Sequence, residues 1–136
     1  MEKLAQLAAD NFLNKGFSCS ESVVMAAAEL GIVPDELVSV ATSFSGGMGS
    51  GCLCGAIAGS QIVLGYLNGK YKTNTARAMA KEFVEEFKKS HKATCCRVLT
   101  AGFDFHSKER KQHCVNMVQN CSDILEKMLE RKEAGV

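Results

Sequence analysis

Apolar residues near the N-terminus recur at helical rather than strand spacing. Leu4, Leu7, Ala8 and Phe12 share one face of a predicted helix, and Gly16 supplies the left-handed residue that ends it. Ser18-Cys19-Ser20-Glu21 has the form of a capping box and predicts a second helix, with Cys19, Val23, Ala26, Ala27 and Leu30 as its apolar stripe and Gly31 as its stop. Pro34 followed by Asp35 and Glu36 suits the first turn of a short third helix reaching about Thr42. Beyond the glycine loop SGGMGSG, Cys54 opens a fourth helix that runs to Asn68-Gly69. The clearest period follows: Ala76, Met79, Ala80, Phe83, Val84 and Phe87 align on one face of TNTARAMAKEFVEEFKKS. Thr94 is placed to cap a short helical turn holding Cys95, Cys96, Arg97, Val98 and Leu99, which ends near Gly102. A last helix, with Ser107 as its cap, carries Cys114, Val118, Cys121, Leu125 and Met128 before fraying into a charged tail.

These segments predict an all-α, multi-helix bundle with a glycine-rich cysteine loop, one domain over residues 1–136. The run CLCGAIAGSQIVLGYL is too short to cross a bilayer and carries Gln61, so it reads as a buried helix and no membrane partner is expected. Gly51, Gly55 and Gly59 recur every fourth residue, a smooth stripe over which another helix approaches closely; a homodimer is one expected use of it. Composition agrees with a globule: 46% hydrophobic and 23% charged residues, one proline and no tryptophan. A net charge of +1 gives no field that would gather nucleic acid, and SGGMGSGCLCG lacks the GK[ST] of a phosphate loop.

The unusual component is seven cysteines. An odd number cannot pair fully, and MEKLAQLAAD has no apolar leader core, so a cytoplasmic protein with reduced thiols is expected. Cys19, Cys54 and the Cys95/Cys96 pair fall at predicted helix starts, and Cys114 lies early in the last helix. Free amides there should stabilise thiolates and lower their pKa, which favours metal ligation or nucleophilic attack, and glycine-loop amides offer a concave nest. Cys121 reads as core, while spacing alone does not separate Cys52 from Cys54 or Cys95 from Cys96. Neither paired CxxC zinc spacing nor a ferredoxin run is present. His91, His106 and His113 are expected to be solvated, with His113 beside Cys114 the one histidine to watch. Arg97 is a candidate to offset thiolate charge, and Met48 is either a pocket wall or an axial ligand.

The same residues resemble a family of small redox-active proteins named for a C_GCAxxG_C_C cysteine pattern. Its central signature is matched by Cys54-Gly55-Ala56-Ile57-Ala58-Gly59 after the loop SFSGGMGSG, its first cysteine by GFSCSESVVMA, and its later ones by CRVL and HCVNMVQNCSDIL. The resemblance implies Cys19, Cys54, Cys96 and Cys114 as ligands of an iron-sulfur cluster, with Gly55 and Gly59 beside the cofactor and Cys52 and Cys95 as substitute ligands. An electron carrier or redox sensor working with a partner protein is the first expectation. A thiol-disulfide oxidoreductase using Cys54 with Cys52 or another cysteine is the second, and a structural zinc domain the third.

Overall fold

A computed structural model describes residues 3–104 and 106–131. Its helices are α1 (Lys3–Asn14), α2 (Cys19–Glu29), α3 (Leu37–Ala41), α4 (Gly55–Tyr71), α5 (Ala76–His91), α6 (Cys96–Leu99) and α7 (Lys108–Leu129). The protein is all-α, with no strand among the described residues, and none of its helices is long and apolar enough to cross a membrane. The charged tail expected after α7 falls mostly outside the described residues.

Local chemistry sets most boundaries. The Ser18 hydroxyl accepts from the Glu21 amide at 3.3 Å while Glu21 accepts from the Ser18 amide at 2.9 Å, so α2 starts at Cys19 with a complete capping box. Gly31 ends it with φ +76°. Ser107 accepts from the Arg110 amide and caps α7 as its sequence position predicts. Two boundaries differ from expectation. The α3 helix begins at Leu37, because Pro34 and Asp35 form a turn whose carbonyls take the Leu37 and Val38 amides. The α4 helix runs through Asn68-Gly69 to Tyr71 and reverses at Lys72, φ +54°. Asn68 does not stop its own helix; its side-chain oxygen takes the Thr75 and Ala76 amides and so caps α5.

At the centre, α2 packs against α1, α4 and α7, while α5 lies on α4 and α7. Leu4, Val23, Val24, Ile57, Phe83, Phe87, Val118 and Leu125 fill the core they share. The first half of α4 is buried from Gly55 to Ser60, which explains its unbroken apolar sequence, and Gln61 satisfies its amide on the Ala80 carbonyl of α5 at 3.1 Å.

The glycine stripe is used inside the chain. A Cβ on Gly55 would stand 2.5 Å from Cys19 Sγ, and one on Gly59 would stand 2.5 Å from the Ser20 carbonyl oxygen, so α2 and α4 touch backbone to backbone. Gly51 does not continue the stripe. It belongs to a left-handed loop, with positive φ at Gly46, Gly47, Met48, Gly49 and Gly51, that precedes α4. Gly55 and Gly59 thus pack on α2.

Candidate functional site

The loop, α2 and α6 meet at one cavity of about 220 Å³, and Cys19, Cys54, Cys96 and Cys114 all line it. Cys19 is the first residue of α2, and Cys54 is the N-cap of α4. The Cys54 amide donates to the Thr94 carbonyl at 2.7 Å, which ties the head of α4 to the strand of chain entering α6. Thr94 is thus a tether; Cys95 caps α6, and Cys96 is its first residue. Cys114 projects from the second turn of α7. Ser45 Oγ lies 2.7 Å from Ser18 Oγ and Ser20 donates to the Ala41 carbonyl at 2.8 Å, holding the loop on the head of α2.

The thiols act on one another electrostatically. Burial pushes the Cys19 thiol up, with Cys96 adding to the rise and the Gly46 and Ser20 amides opposing it. Burial, then Cys19, pushes Cys54 up to about 12 against the amides of Ile57 and Ala56. Burial pushes Cys114 up to about 11, with Arg110 pulling it back and Cys19 and Cys96 adding to it. Helix-start amides do reach Cys19 and Cys54, but the lowered pKa expected from them is overturned. Removing a thiolate from water costs more than two amides return, and the neighbouring sulfurs add like charge. Such a site favours thiolates only when a cation displaces their protons.

A stability prediction follows. Folded Cys54 and Cys114 hold their protons above the ordinary 9.0, so the unfolded chain deprotonates first. Metal-free, fully reduced protein should therefore keep its full stability below about pH 9 and lose it as pH rises toward about 12. Urea midpoints across that window check this; a flat profile contradicts it.

The remaining candidates sit elsewhere. Cys52 is exposed, accepts from Ser50 Oγ at 3.2 Å, and does not line the cavity; neither does half-buried Cys95. Cys121 is fully buried in the core and does not line the cavity, and burial followed by Cys54 and Cys19 raises its pKa. Alanine at Cys121 should cost about 1 kcal/mol, as a small core truncation does, and calorimetry should find the cavity's chemistry intact. Gly55 lines the cavity, whereas Gly59 serves the α2 contact. Met48 is 47% exposed and does not line the cavity; Met117 is the methionine on its wall.

The histidines are not all solvated. His113 stacks on Phe103 at 4.7 Å with Nε2 2.7 Å from the Leu99 carbonyl, and His91 stacks on Phe87 at 4.5 Å. Only His106 is exposed. Arg97 does not line this cavity. The cation beside the sulfurs is Arg110, whose Nη2 donates to Cys96 Sγ at 3.8 Å. A signal for it was present: Arg110 precedes Cys114 by one helical turn, on the same face. Phe12, Leu99 and Met117 supply apolar wall from three different helices, a convergence that no local pattern carries.

All seven cysteines are free thiols. Among the described residues, no group of three or more His, Cys, Asp or Glu side chains is arranged to hold a single metal ion. The donor set nonetheless fits an iron-sulfur group in kind: four cysteines around one partly enclosed space, amides at the sulfurs and one guanidinium against the charge. No curated protein and no solved structure matches this chain. Residues 17–128 match the family described as "Putative redox-active protein (C_GCAxxG_C_C)". That span takes in every cysteine from Cys19 to Cys121 and everything from the head of α2 to the last turn of α7, and the chain belongs to this redox-active C_GCAxxG_C_C family.

Proposed function

We propose that Cys19, Cys54, Cys96 and Cys114 hold an iron-sulfur cluster and that the protein is an electron carrier or redox sensor rather than a catalyst. The observation that carries this reading is that four cysteines distant in sequence, from α2, α4, α6 and α7, line one cavity. A cluster bound there would supply one-electron chemistry, with a potential set by its charge, its hydrogen bonds and its exposure. The chain's own contribution is environmental. Gly46 and Ser20 amides face Cys19, Ala56 and Ile57 amides face Cys54, and Arg110 faces Cys96 and Cys114, so charge on the sulfurs is offset, and no carboxylate among the described residues lines the cavity. Phe12, Leu99 and Met117 give the cavity an apolar wall beside the sulfurs. The partner would be a protein that gives or takes single electrons.

A thiol-disulfide enzyme is less well served. Its nucleophile should be a thiolate at neutral pH, and the Cys54 thiol is instead pushed up to about 12 by burial. Cys52, the other half of that pair, is on the outside of the loop. Zinc needs ligands that converge on one point at about 2.3 Å, and no three such side chains among the described residues do so. Anaerobic reconstitution with ferrous iron and sulfide tests the reading. Visible absorption that bleaches on chemical reduction is expected; a protein that stays colourless, or that takes up zinc in preference, overturns it.

A further inference from the structure

The thiol cavity opens sideways into a second, larger one of about 520 Å³. The two share Ser45, Gly46, Cys96, Thr100 and Arg110, so any molecule in the second lies directly at the Cys96 edge of the first. Its own walls add Arg97 from α6, Phe103 and the rim of the left-handed loop at Gly49 and Gly51. The volume is in the range of small-molecule pockets.

The chemistry of this groove is one-sided. Arg97 and Arg110 both line it, and among the described residues no carboxylate does. Arg97 is in none of the ion pairs among the described residues. A guanidinium presents a planar fork of donors that matches carboxylate and phosphate oxygens. Phe103, which lines the same groove, is 38% exposed, and its ring stacks on His113, whose Nε2 lies 2.7 Å from the Leu99 carbonyl. Two cationic residues and an exposed, stacked ring lining one groove are complementary to a molecule with an anionic group and an apolar body. The residue set against thiolate charge is Arg110 rather than Arg97, which leaves Arg97 for the groove.

We infer that this groove binds a small organic anion, its carboxylate or phosphate on Arg97 and Arg110 and its apolar part on Phe103. Binding itself stands on the cavity, the charges and the ring; that the anion is a substrate or effector of the redox centre rests on the function proposed above. The position suits that role, because the ligand would reach Cys96 without entering the space between the four sulfurs.

Phenyl phosphate and inorganic phosphate are the probes, titrated into metal-free and iron-reconstituted protein by calorimetry and amide NMR. Saturable binding of phenyl phosphate is expected, with shifts at Gly49, Gly51, Cys96 and Thr100 and with inorganic phosphate binding more weakly. Arg97→Gln should weaken phenyl phosphate about tenfold, the effect of one charge-assisted contact, without changing iron content. Phe103→Ala should weaken phenyl phosphate and leave inorganic phosphate unchanged. No saturable binding, shifts confined to other surfaces, or affinity indifferent to Arg97→Gln would each overturn the inference. Anion binding by a protein that never takes up iron would sink the redox reading alone. Iron uptake without anion binding would sink the groove alone.

Discussion

Serine at Cys54 is expected to give a folded, colourless protein after reconstitution, with iron per chain down at least about tenfold, because a hydroxyl is a poor ligand for iron beside thiolates. Cys54 is 5% exposed at the head of α4, and serine has nearly its shape, so the metal-free fold should tolerate the change. Serine at Cys19, Cys96 or Cys114 should do the same. Serine at Cys52 or Cys95, which do not line the cavity, should leave the colour unchanged. The most discriminating pair is on α7, where Cys114 lines the cavity and Cys121 is buried in the core without lining it. Iron retained in Cys114→Ser but lost in Cys121→Ala would show that the wrong sulfur of that helix has been assigned.

Local chemistry was legible in the sequence wherever a signal and its consequence lie within one turn. Ser18 and Glu21 announce the start of α2, Ser107 announces α7, and the period of α5 names its buried phenylalanines. Cysteines at helix starts were readable for the same reason. What escaped depended on distant partners. Asn68 looks like a helix stop and is a cap for the following helix; Thr94 looks like a cap and is a tether for Cys54. The thiol pKa values were misjudged in sign because a helix start is visible in sequence, whereas the burial that outweighs it is a property of the assembled core. The glycine stripe signals a close helix contact, but that α2 answers it at Gly55 and Gly59 is a matter of topology.

That contact is the subject of the second large effect. Alanine at Gly59 places a methyl 2.5 Å from the Ser20 carbonyl oxygen and 3.2 Å from its carbonyl carbon. These are backbone atoms of α2, which cannot rotate away as a side chain would. The helices must part, at a cost of about 1–3 kcal/mol for overpacking a close-packed core. The displacement also moves Ser20, next in chain to Cys19, so the site should load iron poorly even where the variant folds. Gly65, one and a half turns further along α4, has nothing within 4 Å of its hypothetical Cβ. Alanine there should stabilise the same helix by about 0.5–1 kcal/mol through the unfolded state and better helix propensity. Paired denaturant titrations of the two variants separate packing from propensity; similar shifts for both would mean that Gly59 is not a contact residue.

The central claim is that four named sulfurs share one metal-sulfur group, and X-ray diffraction from anaerobically prepared crystals, collected across the iron absorption edge, tests it most directly. Anomalous iron peaks are expected inside the cavity bounded by Cys19, Cys54, Cys96 and Cys114, next to the Arg110 guanidinium. Iron placed at Cys52 or Cys95 instead, or a cavity in which two of the four sulfurs are joined in a disulfide with no anomalous signal, would contradict it.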